Sequence, residues 1–586
     1  MIVLAMLAAG CGKGGMEERS ANPQQINNQA KEEGMPDDAA GSGADGVEVE
    51  NKQTENEEAE SGDGTKQALE ELESEERALL PVEVSMEDNY RTYYEVFVYS
   101  FYDSNGDGIG DLRGLIDKLD YINDGDPQTT SDLGCNGIWL MPIMPSPSYH
   151  KYDVTDYYEI DPEYGTMEDF ETLITECDKR GIKVIIDLVI NHSSSEHLWF
   201  KEACSYLAAL GDGEPSLDEC PYVDYYHFTK EAGTGYSQVP ESDVWYYEAQ
   251  FYYGMPDLNL YNEQVQREIE DIVDFWLSKG VGGFRLDAAK EYETGVDSAN
   301  VEILTWFTDM VKEKKEDAYL VAEVWTDIST YAQYYDSGID SVFNFAFADS
   351  EGIIASAAKE SAPASSYGKA LENIQEMFSA HNPDYIDAPF YTNHDLARSA
   401  GYFSGDNAQS QTKIAGAMNL LMTGSAFVYY GEELGMKGAG KDENKRAPMY
   451  FSEDKDMPGM CTGPADMDSV KMKYGSYEEQ VQDPYSIYHY YRKAIRIRNA
   501  FPSICKGMVT NLETYSDDTL TAFAKTYEDE TLYVFFNLSA EPKTIQIGEI
   551  SSETVGIAGS LYVDENRASL EEGTLTLPGY GVVILK

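Results

Sequence analysis

Eight short β-rich runs, each followed by a stretch of helical periodicity, constrain this chain more than any other feature. The runs are Tyr94–Tyr99, Gly137–Met141, Lys183–Ile190, Gly283–Asp287, Tyr319–Val324, Ser341–Phe345, Pro389–Asn393 and Ala426–Tyr430. Between them apolar residues recur at helical spacing, as in Met167–Arg180, Asn262–Lys279, Ser298–Lys315, Lys369–His381 and Ala408–Met422. Strands that alternate with helices predict an α/β fold with a parallel sheet, and eight of them predict a (β/α)8 TIM barrel.

Residues at the ends of barrel strands read as chemistry rather than core. Asp287 ends Gly282-Gly283-Phe284-Arg285-Leu286-Asp287, and Glu323 follows Tyr319-Leu320-Val321-Ala322. Asp395 closes Phe390-Tyr391-Thr392-Asn393-His394-Asp395, and a fourth run, from Val184 through Asp187, ends on Asn191-His192. A lone Asp at a strand end is usually a helix cap or a solvated loop residue. Four such strings in one barrel pattern instead suggest paired carboxylates. Glycosidic bond cleavage needs such a pair, one protonating the leaving oxygen and the other attacking the anomeric carbon.

Those four strings resemble the conserved segments of the alpha-amylase superfamily, glycoside hydrolase family 13. The likeness extends to Ser148-Tyr149-His150-Lys151-Tyr152-Asp153, Met255-Pro256-Asp257-Leu258-Asn259 and Phe427-Val428-Tyr429-Tyr430-Gly431-Glu432-Glu433. It runs from about Tyr90 to the C-terminus. The Met-Pro-Asp-Leu-Asn form is similar to an intermediary subgroup that contains secreted or lipid-anchored bacterial alpha-amylases. The resemblance implies that Asp287 is the nucleophile, Glu323 the acid and then the base, and Asp395 the carboxylate that binds the sugar hydroxyls of a distorted ring. It also implies that Tyr152 stacks beneath that sugar and that His150, His192 and His394 meet its hydroxyls. Asp187 reads as a structural partner beneath the site. Arg285 lies two residues before Asp287, so both side chains point to one face, and its guanidinium supplies the opposite charge an ionised nucleophile needs. Apolar neighbours Val321, Val324 and Trp325 would favour the protonated form of Glu323.

Asp103-Ser104-Asn105-Gly106-Asp107-Gly108-Ile109-Gly110-Asp111 follows the first strand. Oxygen side chains at alternate positions with glycines between them resemble half of a calcium loop. Structural Ca2+ would be held by Asp103, Asn105, Asp107 and Asp111 through side chains and by Ile109 through its carbonyl; magnesium is the alternative, and an acidic turn without an ion is the bland one. A second calcium site is not claimed, because Glu291 stands where many alpha-amylases have His.

The remaining organisation follows composition. Residues 1–11 are a short apolar run ending in Gly10-Cys11-Gly12, which resembles a bacterial lipoprotein signal with Cys11 as the lipidated residue. It departs from that pattern in having no Lys or Arg before the run and Ala8 where Leu is usual. Residues 12–89 are rich in Glu, Asp, Asn, Gln, Gly and Ser and read as an acidic disordered linker. Within it Lys66–Leu80 has helical periodicity and needs a partner to be stable. The barrel is expected at 90–192 and 257–505, and the long Tyr-, Gly- and Asp-rich interval 193–256 as an inserted domain B. Turn-separated strands in 506–586 predict a C-terminal antiparallel β-sandwich. Of seven cysteines, Cys204 and Cys220 bracket an irregular stretch and could pair or stay free.

With 106 acidic and 42 basic residues the formal charge is −64, which excludes nucleic acid and anionic lipid as electrostatic partners. A neutral polymer needs no charge steering. The expected protein is an extracellular, cell-surface, lipid-anchored monomer that hydrolyses starch, maltodextrin or a related alpha-glucan with retention, as an alpha-amylase cutting internal α-1,4 bonds. Its rivals are an alpha-glucosidase, an oligo-1,6-glucosidase or a glucan transferase on the same scaffold, with Asp153 and Arg398 as a clamp for a terminal sugar. A non-catalytic glucan-binding surface protein is the reading of a different class.

Overall fold

Period-2 patterning makes the central sheet. In β1 (Thr92–Val96) Tyr93 and Glu95 face one side while Tyr94 and Val96 face the other, and all five residues are buried. The computed structural model describes residues 54–548, 550 and 555–586, and only the backbone of 54–63. Residues 60–586 form one compact unit. Six further strands run parallel to β1: β2 (Gly137–Leu140), β3 (Lys183–Leu188), β4 (Gly283–Leu286), β5 (Tyr319–Ala322), β6 (Ser341–Val342) and β7 (Ala426–Tyr429). Their order is β7-β1-β2-β3-β4-β5-β6. The gap between β6 and β7 is filled by residues 388–390, through the isolated parallel bridges Phe343–Ala388 and Phe390–Phe427. Eight staves thus close a (β/α)8 barrel.

The stave at 388–390 was expected as a strand, Pro389–Asn393, and the reason it is not one is local. Pro389 has no N–H and cannot donate to a ladder. The segment instead offers its carbonyls, accepting from Asn344 N at 3.1 Å and Phe427 N at 2.9 Å. The other strands end one to three residues earlier than the apolar runs suggested, since the last residues turn out of the ladder towards the cleft.

Inward side chains fill the barrel in layers. At the bottom Tyr93 stacks on Tyr319 and Phe427, with ring centroids 5.2 and 5.0 Å apart. Gly137 makes room for that stack, because a Cβ there would lie 2.5 Å from the Tyr93 ring. Trp139, Ile185, Val321, Phe343 and Phe390 continue the apolar floor. Each fully buried Phe contributes about 1.5–3 kcal/mol by leaving water. Above this floor the inward positions become charged.

The insertion between β3 and β4 carries a helix, Leu198–Leu210, and a three-stranded antiparallel sheet of Phe228–Thr229, Tyr246–Glu248 and Tyr236–Gln238. Its core is aromatic, with Phe200 4.7 Å from Tyr247. The bridges His192–Asp257 and Tyr226–Leu258 tie its two ends together at the barrel rim. Cys204 and Cys220 are both free thiols. The C-terminal part packs a five-stranded sheet, ordered Met508–Asn511, Leu520–Tyr527, Glu530–Asn537, Val582–Leu585 and Ile557–Leu561, on a three-stranded one, ordered Lys543–Gln546, Thr574–Leu577 and Ser569–Glu571. Phe535, Val583, Leu575 and Leu577 lie in the cluster between them.

A further expectation is corrected. The segment 12–89 is not structureless throughout: Thr54–Ala78 is a helix, α1. Its last turns have a partner in α2 (Ile487–Ala500), the last barrel helix. Glu76 is fully buried and accepts from Arg492 Nε and Nη2 at 3.1 and 2.6 Å. Lys493 pairs with Glu75, and Arg496 donates to the carbonyls of Glu76 and Leu79. Composition showed α1's acidic surface but not the basic stripe waiting for it. Cys11 lies outside the described residues. Among the described residues no helix is long and apolar enough to cross a membrane.

Candidate active site

Arg285 is the hub of the charged layer. It projects inward from β4, where it pairs in register with Asp187 of β3. Its Nη1 donates to both Asp187 oxygens at 2.8 and 2.9 Å and to Asp287 Oδ1 at 2.7 Å. Its Nη2 lies 2.9 Å from Glu323 Oε2. One buried guanidinium therefore holds three carboxylates. Burial pushes Asp187 up to about 7, against the pull of Arg285, so it is a poor permanent anion and serves as a support under the site.

Asp287 and Glu323 sit just beyond the ends of β4 and β5, where the chain leaves the ladder. Ala288 takes a left-handed conformation with φ of 47°, a strained choice for a residue with a Cβ. That turn aims Ala288 N–H at Glu323 Oε2, 3.1 Å away, while Ala289 N–H bonds to the Glu323 carbonyl at 3.0 Å. Burial raises the Glu323 carboxyl above its ordinary range; Arg285 opposes this, and the charges of Asp287 and Asp395 add to it. Burial thus favours the protonated form of Glu323 beside Asp287, an arrangement that suits paired acid and nucleophile chemistry.

The other side of the cleft is a chain of hydrogen bonds. His394 Nε2 is 3.0 Å from Asp395 Oδ2 and 2.7 Å from Tyr152 Oη, and its Nδ1 is 2.6 Å from Glu95 Oε1. Tyr152 Oη donates to Asp187 Oδ2 at 3.1 Å, and its ring stacks on His394 at 5.5 Å. Burial opposes charge on both His394 and Asp395, but their mutual attraction outweighs it. His394 rises to about 9, and Asp395, also bonded by Arg446 Nη2 at 3.1 Å, is held well below the usual carboxylate range. Lys151, left-handed at φ 67°, turns the flanking His150 and Tyr152 towards the cleft, and is itself fixed by ion pairs to Asp161 and Glu163. His150 Nδ1 accepts from Tyr152 N, leaving Nε2 as the donor; burial lowers this imidazole to about 4. His192 is buried, and its Nε2 has no partner among the described side chains and backbone.

These groups line a cleft of about 550 Å³ whose walls include His150, Tyr152, His192, Asp287, Glu323 and Asp395. Phe251, Tyr252 and Trp325 stand at its mouth, each about half exposed. Large apolar rings exposed beside buried carboxylates suit the C–H faces of sugars.

The model of the alpha-amylase catalytic domain matches residues 95–507, which spans every group just described. The chain belongs to the alpha-amylase family. A second model, of the alpha-amylase SusG C-terminal domain, matches residues 520–584. Alpha-amylase 3 of Dictyoglomus thermophilum is 38% identical over 84% of this chain and 92% of its own length. A glucan 1,6-alpha-glucosidase of Streptococcus pneumoniae is 30% identical over 78% of this chain and 93% of its own. The solved structure of Eubacterium rectale Amy13B is 50% identical, with a TM-score of 0.83 over 86% of this chain and 97% of its own. As a member of the alpha-amylase family the protein is a glycoside hydrolase acting on alpha-glucan.

Two residues expected in the alpha-amylase cleft are absent from its lining. Asp153 accepts from Ser146 Oγ at 2.6 Å and from Ser148, inside the loop after β2. Arg398 donates to the carbonyls of Tyr430 and Lys445 and lies over the Tyr429 ring. Neither is among the residues that line the cleft. Arg446 was not expected there, yet it touches Asp395. It caps the short helix Asp442–Lys445 after β7, whose four residues are too few for a periodicity to mark it.

The loop Asp103–Asp111 winds on itself. Asp103 accepts from the amides of Asn105, Gly106 and Gly108, Asn105 from Asp107 N, Asp107 from Ile109 N, and Asp111 from Ser104 and Gly114. Thr462 caps it through the Gly108 carbonyl at 2.8 Å. The donors are all oxygen, which suits a hard cation in kind. Among the described residues, however, no three His, Cys, Asp or Glu side chains converge as metal ligands.

Proposed function

We propose that this glycoside hydrolase is a retaining alpha-amylase that cuts internal α-1,4 bonds of starch and maltodextrins. The observation that carries the proposal is the single Arg285 guanidinium bridging Asp287 and Glu323 at 2.7 and 2.9 Å. Such bridging favours the close spacing, about 5–5.5 Å, at which one carboxylate attacks carbon directly. Glu323 gives its proton to the glycosidic oxygen as Asp287 attacks C1, forming a glycosyl ester and freeing one chain end. The Glu323 carboxylate then takes a proton from water, whose oxygen displaces Asp287 at C1 and returns both groups to their starting states. Asp395 would bind the sugar hydroxyls opposite them.

Endo action is favoured because the two residues suited to gripping a chain end, Asp153 and Arg398, are engaged in packing. Exposed Phe251, Tyr252 and Trp325 would instead stack on a continuing chain. Products of soluble starch, pullulan and isomaltose test this. A spread of maltooligosaccharides from starch is expected. Glucose alone, or preferential cleavage of isomaltose, would replace the proposal with an exo-glucosidase.

Two further proposals rest on the sequence. Structural Ca2+ at Asp103, Asn105, Asp107, Asp111 and the Ile109 carbonyl is supported by the oxygen-only donor set. An extracellular monomer anchored through lipid on Cys11 is supported by the apolar run that precedes that residue.

A further inference from the structure

Glu95 is a fully buried carboxylate with no place in the steps above. It points inward from β1, one layer above Tyr93, and is paired in register with Trp139 and Tyr429. Its side chain meets the site through His394 Nδ1, at 2.6 Å. At the opposite nitrogen, Tyr152 gives its hydroxyl proton to Asp187, so its oxygen accepts from His394 Nε2–H, as does Asp395. His394 is therefore flanked by acceptors on both sides.

We propose that Glu95 is a positioning residue for the cleft, keeping His394 a donor from both ring nitrogens and thereby fixing Asp395. The proposal rests on the reading of Asp395 as a sugar-binding carboxylate. The charge balance supports it. Burial raises Asp187 and Glu323 towards their neutral forms, which leaves Glu95, Asp287 and Asp395 at the barrel mouth facing, among the described side chains, Arg285 and Arg446. An imidazolium at His394 supplies the third cation. Every packed element contributes to its setting: Glu95 from β1, the Trp139 ring edge from β2, Tyr152 after it, Asp187 from β3, Arg285 from β4, Glu323 after β5, and Asp395 with its partner Arg446. Burial works against a charged His394, and the two flanking carboxylates overcome it.

The test is ring-nitrogen NMR of histidine-labelled protein, with the His394 signals assigned by their loss in His394→Asn; seven histidines keep the spectrum tractable. The wild-type ring should keep both protons through pH 7.5. In Glu95→Gln, which keeps the side chain's shape, the midpoint should fall by about 1–2 pH units. The kcat of that variant relative to wild type should then decline as pH rises through the new midpoint, with about tenfold loss at pH 8 and little at pH 5. Glu95→Asp should recover part of both. A wild-type His394 that loses a ring proton below pH 7, or an unchanged midpoint in Glu95→Gln, would overturn the proposal without touching the substrate assignment, since the NMR needs no substrate. A normal midpoint shift with a flat kcat ratio would overturn the role in fixing Asp395.

Discussion

At the scale of single residues, the proposed mechanism gives Asp287 and Glu323 separable duties. Asp287→Asn keeps the volume and leaves Arg285 paired with Asp187 and Glu323. Fold and glucan binding should persist while turnover falls by several powers of ten; activity within tenfold of wild type would remove Asp287 as nucleophile. Glu323→Gln can still accept the Ala288 N–H. Because burial raises the wild-type carboxyl, its protonated form persists to higher pH, and activity is lost as pH rises through that value. The variant should lose this alkaline limb. An aryl glycoside with a good leaving group, which departs without protonation, should be slowed far less than starch in the first step; equal slowing would rule Glu323 out as the acid. Asp287 and Glu323 were legible because strand alternation puts a carboxylate two residues beyond an inward position at the cleft. Glu95 left the same signal, an inward charge in an apolar run two residues after Tyr93, yet it is not among the candidate residues read from the sequence. Asp153 and Arg398 illustrate the limit of that signal: both lie in loops, where no period says which way a side chain points.

At the scale of elements, loops decide what strands leave open. The left-handed turns at Lys151 and Ala288 aim the cleft's groups, and neither residue type announces such a turn. Helix α1 was visible as a periodicity in need of a partner. The partner, Arg492 with Lys493 and Arg496, lies more than 400 residues on, and pairing over that distance has no local signature. The Asp103–Asp111 loop was visible as spaced oxygens, but those oxygens mostly accept backbone amides. If the loop also holds calcium, the ion binds the native state alone and raises the melting temperature with its free concentration. A melt in added calcium should then lie a few degrees above one in chelator. Coincident melts, with no ion in elemental analysis, would leave the loop as a self-supporting turn.

At the scale of the whole molecule, the eight-stave barrel, the insertion after β3 and the terminal sandwich were readable from the order of patterns alone. The strands Met508–Asn511 and Ser569–Glu571 were not, because both are largely exposed and carry no apolar run to mark them. Location belongs to this scale as well. Wild type expressed in a Gram-positive host should partition with membranes, and Cys11→Ala should not, since the chains of a mature lipoprotein anchor firmly. Equal partitioning would refute the anchor and leave the catalytic proposal intact.

The stave at 388–390 has a consequence for how the enzyme fails. Pro389 keeps this stretch out of the ladder, and its neighbour β6 is only two residues long. The ring of strands therefore has a seam, and stability within a fold is lost first where backbone pairing is thinnest. Asp395 hangs from the seam, while Asp287 and Glu323 hang from the well-laced β4 and β5. On warming, the cleft should come apart asymmetrically, with Asp395 swinging away while Asp287 and Glu323 are still in place. Hydrogen exchange at peptide resolution should show the amides of 385–398 opening earlier than those of 283–289 and 319–325, and inactivation should precede the unfolding seen by circular dichroism. Simultaneous exchange of all three segments would show the ring to be equally strong all round.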